Sequence, residues 1–306
     1  MHKRDFAKEL YRNKTLFLMM LPTLIYLVIF SYIPMVGIYY AFTKYDFEGG
    51  LFGSQFVGLK NFEFMFKSGT LGLLTRNTVL YNLAFIITGN IMEIICAILL
   101  SEINNKWFKK ITQSAMFLPY FISMVLVGVF AYNLFNVDNG VINTIIKSLG
   151  FKPYSFYTNP GPWKYILVIF KVWKGLGYGT VIYLAAIMGI SEEYYEAAKI
   201  DGANIFKQIW YITLPLLKPT VVILVLLSLG GILKGQFDLF YQIIGNNGLL
   251  YETTDIIDTY VYRALTVNFD IGMGTAAGLY QSFFGFILVM TVNYIIKKIE
   301  PDYSLF

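Results

Sequence analysis

Apolar runs long enough to cross a lipid bilayer recur along this chain, and they constrain its fold more than any other feature. At about 20 residues per crossing, 306 residues hold roughly six spans with their loops. The runs fall at residues 15–42, 78–100, 111–134, 163–190, 220–233 with an extension to 239, and 276–296. The expected fold is therefore an all-α integral membrane protein of six transmembrane helices in one domain spanning 1–306, with core spans at about 78–296. Only 14% of residues are charged, against about 25% in an ordinary soluble domain.

The first run follows a stretch carrying Lys3, Arg4, Lys8, Arg12 and Lys14. It is much longer than a signal-peptide core and continues through Tyr39 and Tyr40, so it reads as an uncleaved span with residues 1–14 inside. Pro22 and Pro34 are expected to bend it. Lysines 106, 109 and 110, then 199, 207 and 218, then 297 and 298 fall on that same side under the positive-inside rule. Both termini are then cytoplasmic, as in a multi-pass protein of a bacterial inner membrane. The intervening outer loops, 46–72, 136–162 and 241–274, are rich in Gly, Asn and Tyr. They are either plain connectors or a surface that meets something outside.

Several classes of function are disfavoured. The single histidine, His2, lies at the charged terminus, and the single cysteine, Cys96, sits in an apolar run. Neither a metal site nor a triad built within this chain is expected. The net charge of +5 suits basic loops held against anionic lipid and gives no reason to expect nucleic acid. No G-x-x-x-x-G-K-[ST] pattern occurs, so nucleotide binding of that kind is not expected here.

Between the fourth and fifth runs lies the polar, patterned segment 191–219, SEEYYEAAKIDGANIFKQIWYITLPLLKP. Ser191 can cap a helix whose first turn holds Glu192 and Glu193. Asp201-Gly202 supplies a turn, and a second helix from Ala203 carries Ile205, Phe206, Ile209 and Ile212 at near-helical spacing, to be ended by Pro215. Such a knob either docks on another protein or lies on the membrane as an amphipathic hairpin.

The order Glu196-Ala197-Ala198, three residues, Gly202, nine residues, Ile212, one residue, Leu214-Pro215 resembles the EAA motif of ABC-importer permeases at every defined position. Asp201 before the glycine resembles the sugar-permease branch. The stretches Phe117–Ser123 (FLPYFIS), Trp173–Gly177 (WKGLG), Tyr251–Asp255 (YETTD) and Tyr303–Phe306 (YSLF) resemble LplB-type polysaccharide permeases. Residues 230–247 look less like that pattern. The resemblance implies a permease subunit, not itself an enzyme, that imports a sugar or oligosaccharide. Its implied partners are cytoplasmic subunits that bind ATP and magnesium, a second and different permease, an extracytoplasmic solute-binding protein and membrane lipid. In that family the loop is a coupling helix, so the resemblance assigns ATPase coupling to Glu196, Ala197, Ala198, Asp201, Gly202, Ile212, Leu214 and Pro215. ATP-driven closure of the ATPase would then move the knob and rock spans three to six.

Sugars are held by aromatic faces and fixed hydrogen-bonding groups, and polar groups within spans are costly enough to be suspected of lining a path. Candidates are Tyr120, Tyr132, Asn133, Trp173, Lys174, Tyr178, Gln236, Asp238, Tyr241, Tyr280 and Gln281. Against the tyrosines and Trp173 stands a role as interfacial anchor, and for Lys171 and Lys174 a snorkelling one. Glu93, amid apolar residues, either pairs with a basic residue of another span, faces the cavity or is protonated, and the pair is the favoured expectation. Import of an amino acid or polyamine is the alternative within the family. An ATP-independent transporter or channel, or a membrane enzyme, lies outside it.

Overall fold

A chain whose side chains face hydrocarbon must satisfy its backbone hydrogen bonds internally, and the helix does this within one segment. The computed structural model describes residues 11–299 and is almost entirely helical. His2, Lys3, Arg4, Lys8 and the closing Tyr303, Ser304, Leu305 and Phe306 lie outside the described residues.

Among the described residues, five helical stretches are long and apolar enough to cross a bilayer, and a bent pair supplies the sixth crossing. The first runs Lys14–Phe42 and changes pitch twice. Helix α1 (Lys14–Leu27) passes through a wide turn at Val28–Tyr32 into a tighter 3-10 stretch, Ile33–Phe42, with Pro34 in its first turn. A two-residue antiparallel pairing of Thr43–Lys44 with Gln55–Phe56 folds the chain back. The surface helix α2 (Lys60–Lys67) then leads into α3 (Thr70–Ser101).

The third crossing corrects the expectation of one helix over 111–134. It consists of α4 (Lys106–Phe121) and α5 (Met124–Phe135), which meet at 96°. Pro119 removes one N–H from the end of α4, and Ser123 starts α5 by accepting a hydrogen bond from the Leu126 amide at 3.4 Å. The loop helix α6 (Val141–Ser148) follows, then the fourth crossing, α7 (Trp163–Met188).

The segment expected to be a knob forms α8 (Glu192–Ile200), a turn, and α9 (Ile205–Gln208). Pro215 does not end the second helix. The chain widens at Ile209–Thr213 and continues as α10 (Leu214–Gly230), a 26-residue rod from Ile205 to Gly230. Pro215 falls at the start of α10, directly after the wide segment, where a missing N–H costs least, whereas Pro219 lies inside the helix. The extension to residue 239 is also corrected, since the helix stops at Gly230. After a turn, α11 (Phe237–Ile244) packs against α5. Helix α12 (Ile257–Thr266) and the last crossing, α13 (Ile271–Ile299), complete the order.

Packing is concentrated on α3 and α7. At their N-terminal ends Tyr81, Phe85, Trp163, Leu167 and Phe170 join Val127, Phe135, Leu239 and Phe240 in one buried cluster. Within it, the Trp163 indole Nε1 donates to the Phe156 carbonyl at 2.8 Å. At their C-terminal ends Ala97, Leu100, Tyr183, Leu184, Ile187 and Leu217 form another. Outward-facing Leu, Ile, Phe and Val cover most of the remaining helix surface, as lipid contact requires.

Candidate functional site

The segment expected to couple the chain to a partner is a rigid, exposed projection. Glu196, Ala197, Asp201, Gly202 and Pro215 are exposed, and Ala198, Ile212 and Leu214 are half-buried. Ser191 caps α8 by accepting from the Glu193 amide at 3.4 Å. Gly202 takes φ +74°, and the amide of Ala203 closes on the Ala198 carbonyl at 2.8 Å, satisfying the open end of α8. Asn204 caps α9 through the Lys207 amide at 2.9 Å. The buried Gln208 donates to the Ala203 carbonyl at 2.9 Å, and the hydroxyls of Tyr195 and Thr213 lie 3.0 Å apart. The outer face displays Tyr194, Ile200 and Phe206; Ile200 is 87% exposed. This face is apolar yet belongs to a segment too polar to enter lipid.

A second feature lies between the two packed ends of α3 and α7. A cavity of about 560 Å³ opens among α3, α7, α10 and the turn after it. Its polar wall comprises Asn82, Asn90, Glu93, Lys171, Ser228, Lys234 and Gln236, with Tyr178 at its side. Lys171 Nζ donates to Gln236 Oε1 at 2.9 Å, and the Tyr183 hydroxyl donates to Asn90 Oδ1 at 2.5 Å. Asn82 Nδ2 donates to the carbonyls of Ile232 at 3.0 Å and Lys234 at 3.2 Å, fixing the turn that carries Lys234 and Gln236. Glu93 faces this cavity, where it feels the Lys171 charge across the wall without forming a close ion pair. Its carboxylate packs over Gly179, where any Cβ would collide with it.

The path candidates from the sequence therefore separate. Tyr178 and Gln236 reach this cavity. Tyr120 stacks on Tyr178, with ring centres 5.3 Å apart and planes 13° from parallel. Trp173 and Asn133 line a different, apolar hollow of about 440 Å³. Lys174 Nζ does not snorkel outward but donates to the carbonyls of Pro119 at 3.3 Å, Tyr120 at 3.1 Å and Ile122. Gln281 Nε2 donates to the Leu233 carbonyl at 2.6 Å and to Asp258 Oδ2 at 2.9 Å. The Tyr280 hydroxyl meets Thr75 at 3.1 Å. Tyr132 packs on Tyr157, Tyr241 joins Phe237 and Tyr262 in a ring cluster, and Asp238 is exposed at the start of α11. Asn82, Asn90, Ser228 and Lys234 were not singled out from the sequence. An amide within an apolar run was the available signal for the two asparagines.

The outer loops are stitched to α3. Asn77 Nδ2 donates to the carbonyls of Glu252 at 3.2 Å and Asp255 at 3.0 Å. The Asp255–Arg263 ion pair, at 2.6 Å, is nearly buried. Burial acts to lower the Arg263 pKa, but the hydrogen bond and charge of Asp255 outweigh it and hold the guanidinium above its ordinary value.

These features match known proteins over nearly the whole chain. Residues 89–301 match the family described as the binding-protein-dependent transport system inner membrane component. The chain is 38% identical to the polygalacturonan/rhamnogalacturonan transport system permease protein YteP of Bacillus subtilis, over 96% of this chain and 91% of that protein. It is 35% identical to protein LplB of the same organism, over 97% and 93%. It superposes with a TM-score of 0.86 and 31% identity on a chain of a bacterial ABC transporter that imports the acidic polysaccharide alginate, covering 97% of this chain and all of that one. It also superposes, with a TM-score of 0.85 and 31% identity over 97% of this chain and 98% of the other, on a chain of a bacterial alginate ABC transporter in complex with an alginate pentasaccharide-bound periplasmic protein. This chain belongs to the family of binding-protein-dependent transport system inner membrane components.

Proposed function

We propose that the chain, as one permease domain over residues 1–306, imports an oligosaccharide, of acidic type as in the alginate transporter named above, delivered by an extracytoplasmic binding protein. It works beside a second, different permease. The ATP and magnesium are bound by cytoplasmic subunits that dock on the α8–α9 knob. Both termini then lie in the cytoplasm, since the knob and the lysines at 106, 109, 110, 297 and 298 share one side.

The observation that carries this reading is the knob itself. An exposed, internally bonded projection with an apolar tip is suited to a protein cleft, and it continues without interruption into a membrane-crossing rod. In this reading Glu196, Ala197, Ala198, Asp201 and Gly202 form the docking surface, while Ile212, Leu214 and Pro215 carry its motion into α10. Tyr178, Gln236, Lys171 and Lys234 face the solute.

Gly202→Trp tests the docking. A Cβ there meets nothing within 4 Å, so damage comes from the left-handed backbone and from bulk at the knob surface, not from packing within this chain. The wild-type chain, purified in mild detergent, should bring with it an ATPase and a second six-span protein. Gly202→Trp should lose the ATPase while remaining in the membrane. A wild-type chain that purifies alone at every detergent strength would contradict the importer reading.

A further inference from the structure

Two sequence stretches far apart in the chain, Phe117–Ser123 and Trp173–Tyr178, form one unit in the fold. The first holds the 96° elbow between α4 and α5. Such a break leaves the last turn of α4 short of helical partners. The Pro119 carbonyl still accepts from the Ile122 amide at 3.2 Å. The carbonyls after it have no continuing helix to bond, and in hydrocarbon each unsatisfied carbonyl is costly. The α4 end also carries the negative pole of its helix dipole. Lys174 meets both needs, because an ammonium has three donors and a positive charge. It donates to the carbonyls of Pro119 and Tyr120 in the last turn of α4 and of Ile122 in the elbow itself.

The surrounding geometry is close-fitted. Gly177 lets α7 approach α4 so nearly that a Cβ would stand 2.6 Å from Phe117 Cα and 2.7 Å from the Met116 carbonyl carbon. One residue on, Tyr178 lies flat against Tyr120. Tyr178 borders the polar cavity, so the clasp and the glycine contact together set where this two-ring surface stands relative to Asn90, Lys171 and Gln236. A flat aromatic face beside fixed hydrogen-bonding groups suits the face of a pyranose ring.

We propose that Lys174 is a positioning residue: its ammonium clasps the elbow of the third crossing and so places the Tyr120–Tyr178 pair at the cavity edge, where that pair receives a sugar ring. The sugar-ring clause rests on the oligosaccharide reading above; the clasp itself does not.

Two measurements separate them. Nitroxide labels at Ser114→Cys and Val129→Cys, in a Cys96→Ser background of the assembled complex, report the elbow by their distance distribution. Lys174→Met should broaden and lengthen that distribution, and Lys174→Arg should restore it. An unchanged distribution in Lys174→Met overturns the clasp. If the methionine variant does not assemble, Lys174→Arg decides: assembly with the wild-type distance supports the clasp, and failure to assemble overturns it.

Uptake of trigalacturonate into proteoliposomes holding the whole importer reads the second part. Lys174→Met should slow it about tenfold, as expected when three carbonyls at the elbow lose their shared donor, with recovery in Lys174→Arg. Tyr178→Leu should slow it similarly while leaving the label distance alone. Uptake unaffected by Tyr178→Leu overturns the placement of the ring. Wild-type protein that takes up neither trigalacturonate nor an arabino-oligosaccharide overturns the oligosaccharide reading, while the label distances still decide the clasp.

Discussion

Gly175 and Gly177 sit two residues apart on α7 and offer a matched test of how closely α7 meets α4. Replacing either by alanine gains about the same helix propensity, roughly 1 kcal/mol. Their surroundings differ sharply. A Cβ at 175 meets nothing within 4 Å, whereas one at 177 stands 2.6 Å from Phe117 Cα. Carbon atoms rest about 3.5–4.0 Å apart, so the new methyl is short by about 1 Å against backbone that cannot rotate away. The helices must separate, and forcing extra volume into a packed contact costs about 1–3 kcal/mol. Propensity cancels between the two variants, leaving that cost as their difference. One to two kcal/mol shifts the folded-to-unfolded ratio roughly 5- to 30-fold. The assembled complex is heated in steps, and the fraction still eluting as a single species is measured by size-exclusion chromatography. Gly175→Ala should survive to temperatures at or above wild type, and Gly177→Ala should fail first. If Gly177→Ala is as resistant as Gly175→Ala, the α4–α7 contact described above is wrong.

Other expectations follow from single side chains. Arg263→Met strands Asp255 in a nearly buried site and should cost about 3–5 kcal/mol, much of it recovered in the double variant Asp255→Leu/Arg263→Met, as a double-mutant cycle in urea would show. Asn82→Leu removes the donor from the buried Ile232 carbonyl, about 1–3 kcal/mol, and from the part-buried Lys234 carbonyl at the cavity turn, and should raise proteolysis at 231–236 while lowering uptake. Asn204→Ala removes the cap of α9 at a cost of about 1 kcal/mol, so hydrogen exchange at the Lys207 amide should quicken while amides of α7 keep their rates.

The crossings were legible because apolar length is a direct consequence of bilayer thickness, and the knob because capping and turn residues act locally. Ser191 and Gly202 do in the structure what their chemistry indicated. The elbow was not legible as such. Pro119 and Ser123 are both break signals, but apolar residues on either side masked them in a hydropathy reading. Pro215 misled in the other direction, since a proline reads as a stop unless the preceding turn is known to widen. The cavity depends on which amide meets which distant carbonyl: Asn82 with Ile232 is a pairing over 150 residues that no local pattern encodes. Lys174 looked like a candidate for solvent or solute, and only the fold shows its ammonium committed to α4.

The rod from Ile205 to Gly230 has a mechanical meaning. At about 1.5 Å per residue its 26 residues reach roughly 39 Å, enough to cross the hydrocarbon from one face to the other. Because the knob is hydrogen-bonded to its base, a tilt imposed there is not absorbed in a slack joint. Pivoted at Ile205, a tilt of about 10° would swing Gly230, and with it the turn holding Lys234 and Gln236, by roughly 7 Å. The third crossing has a different character, since its right-angled elbow is tied to α7 by Lys174 and by the close approach at Gly177. The cavity is thus set beside two unlike elements, a long rod that carries motion from the knob and a bent crossing held in place by α7.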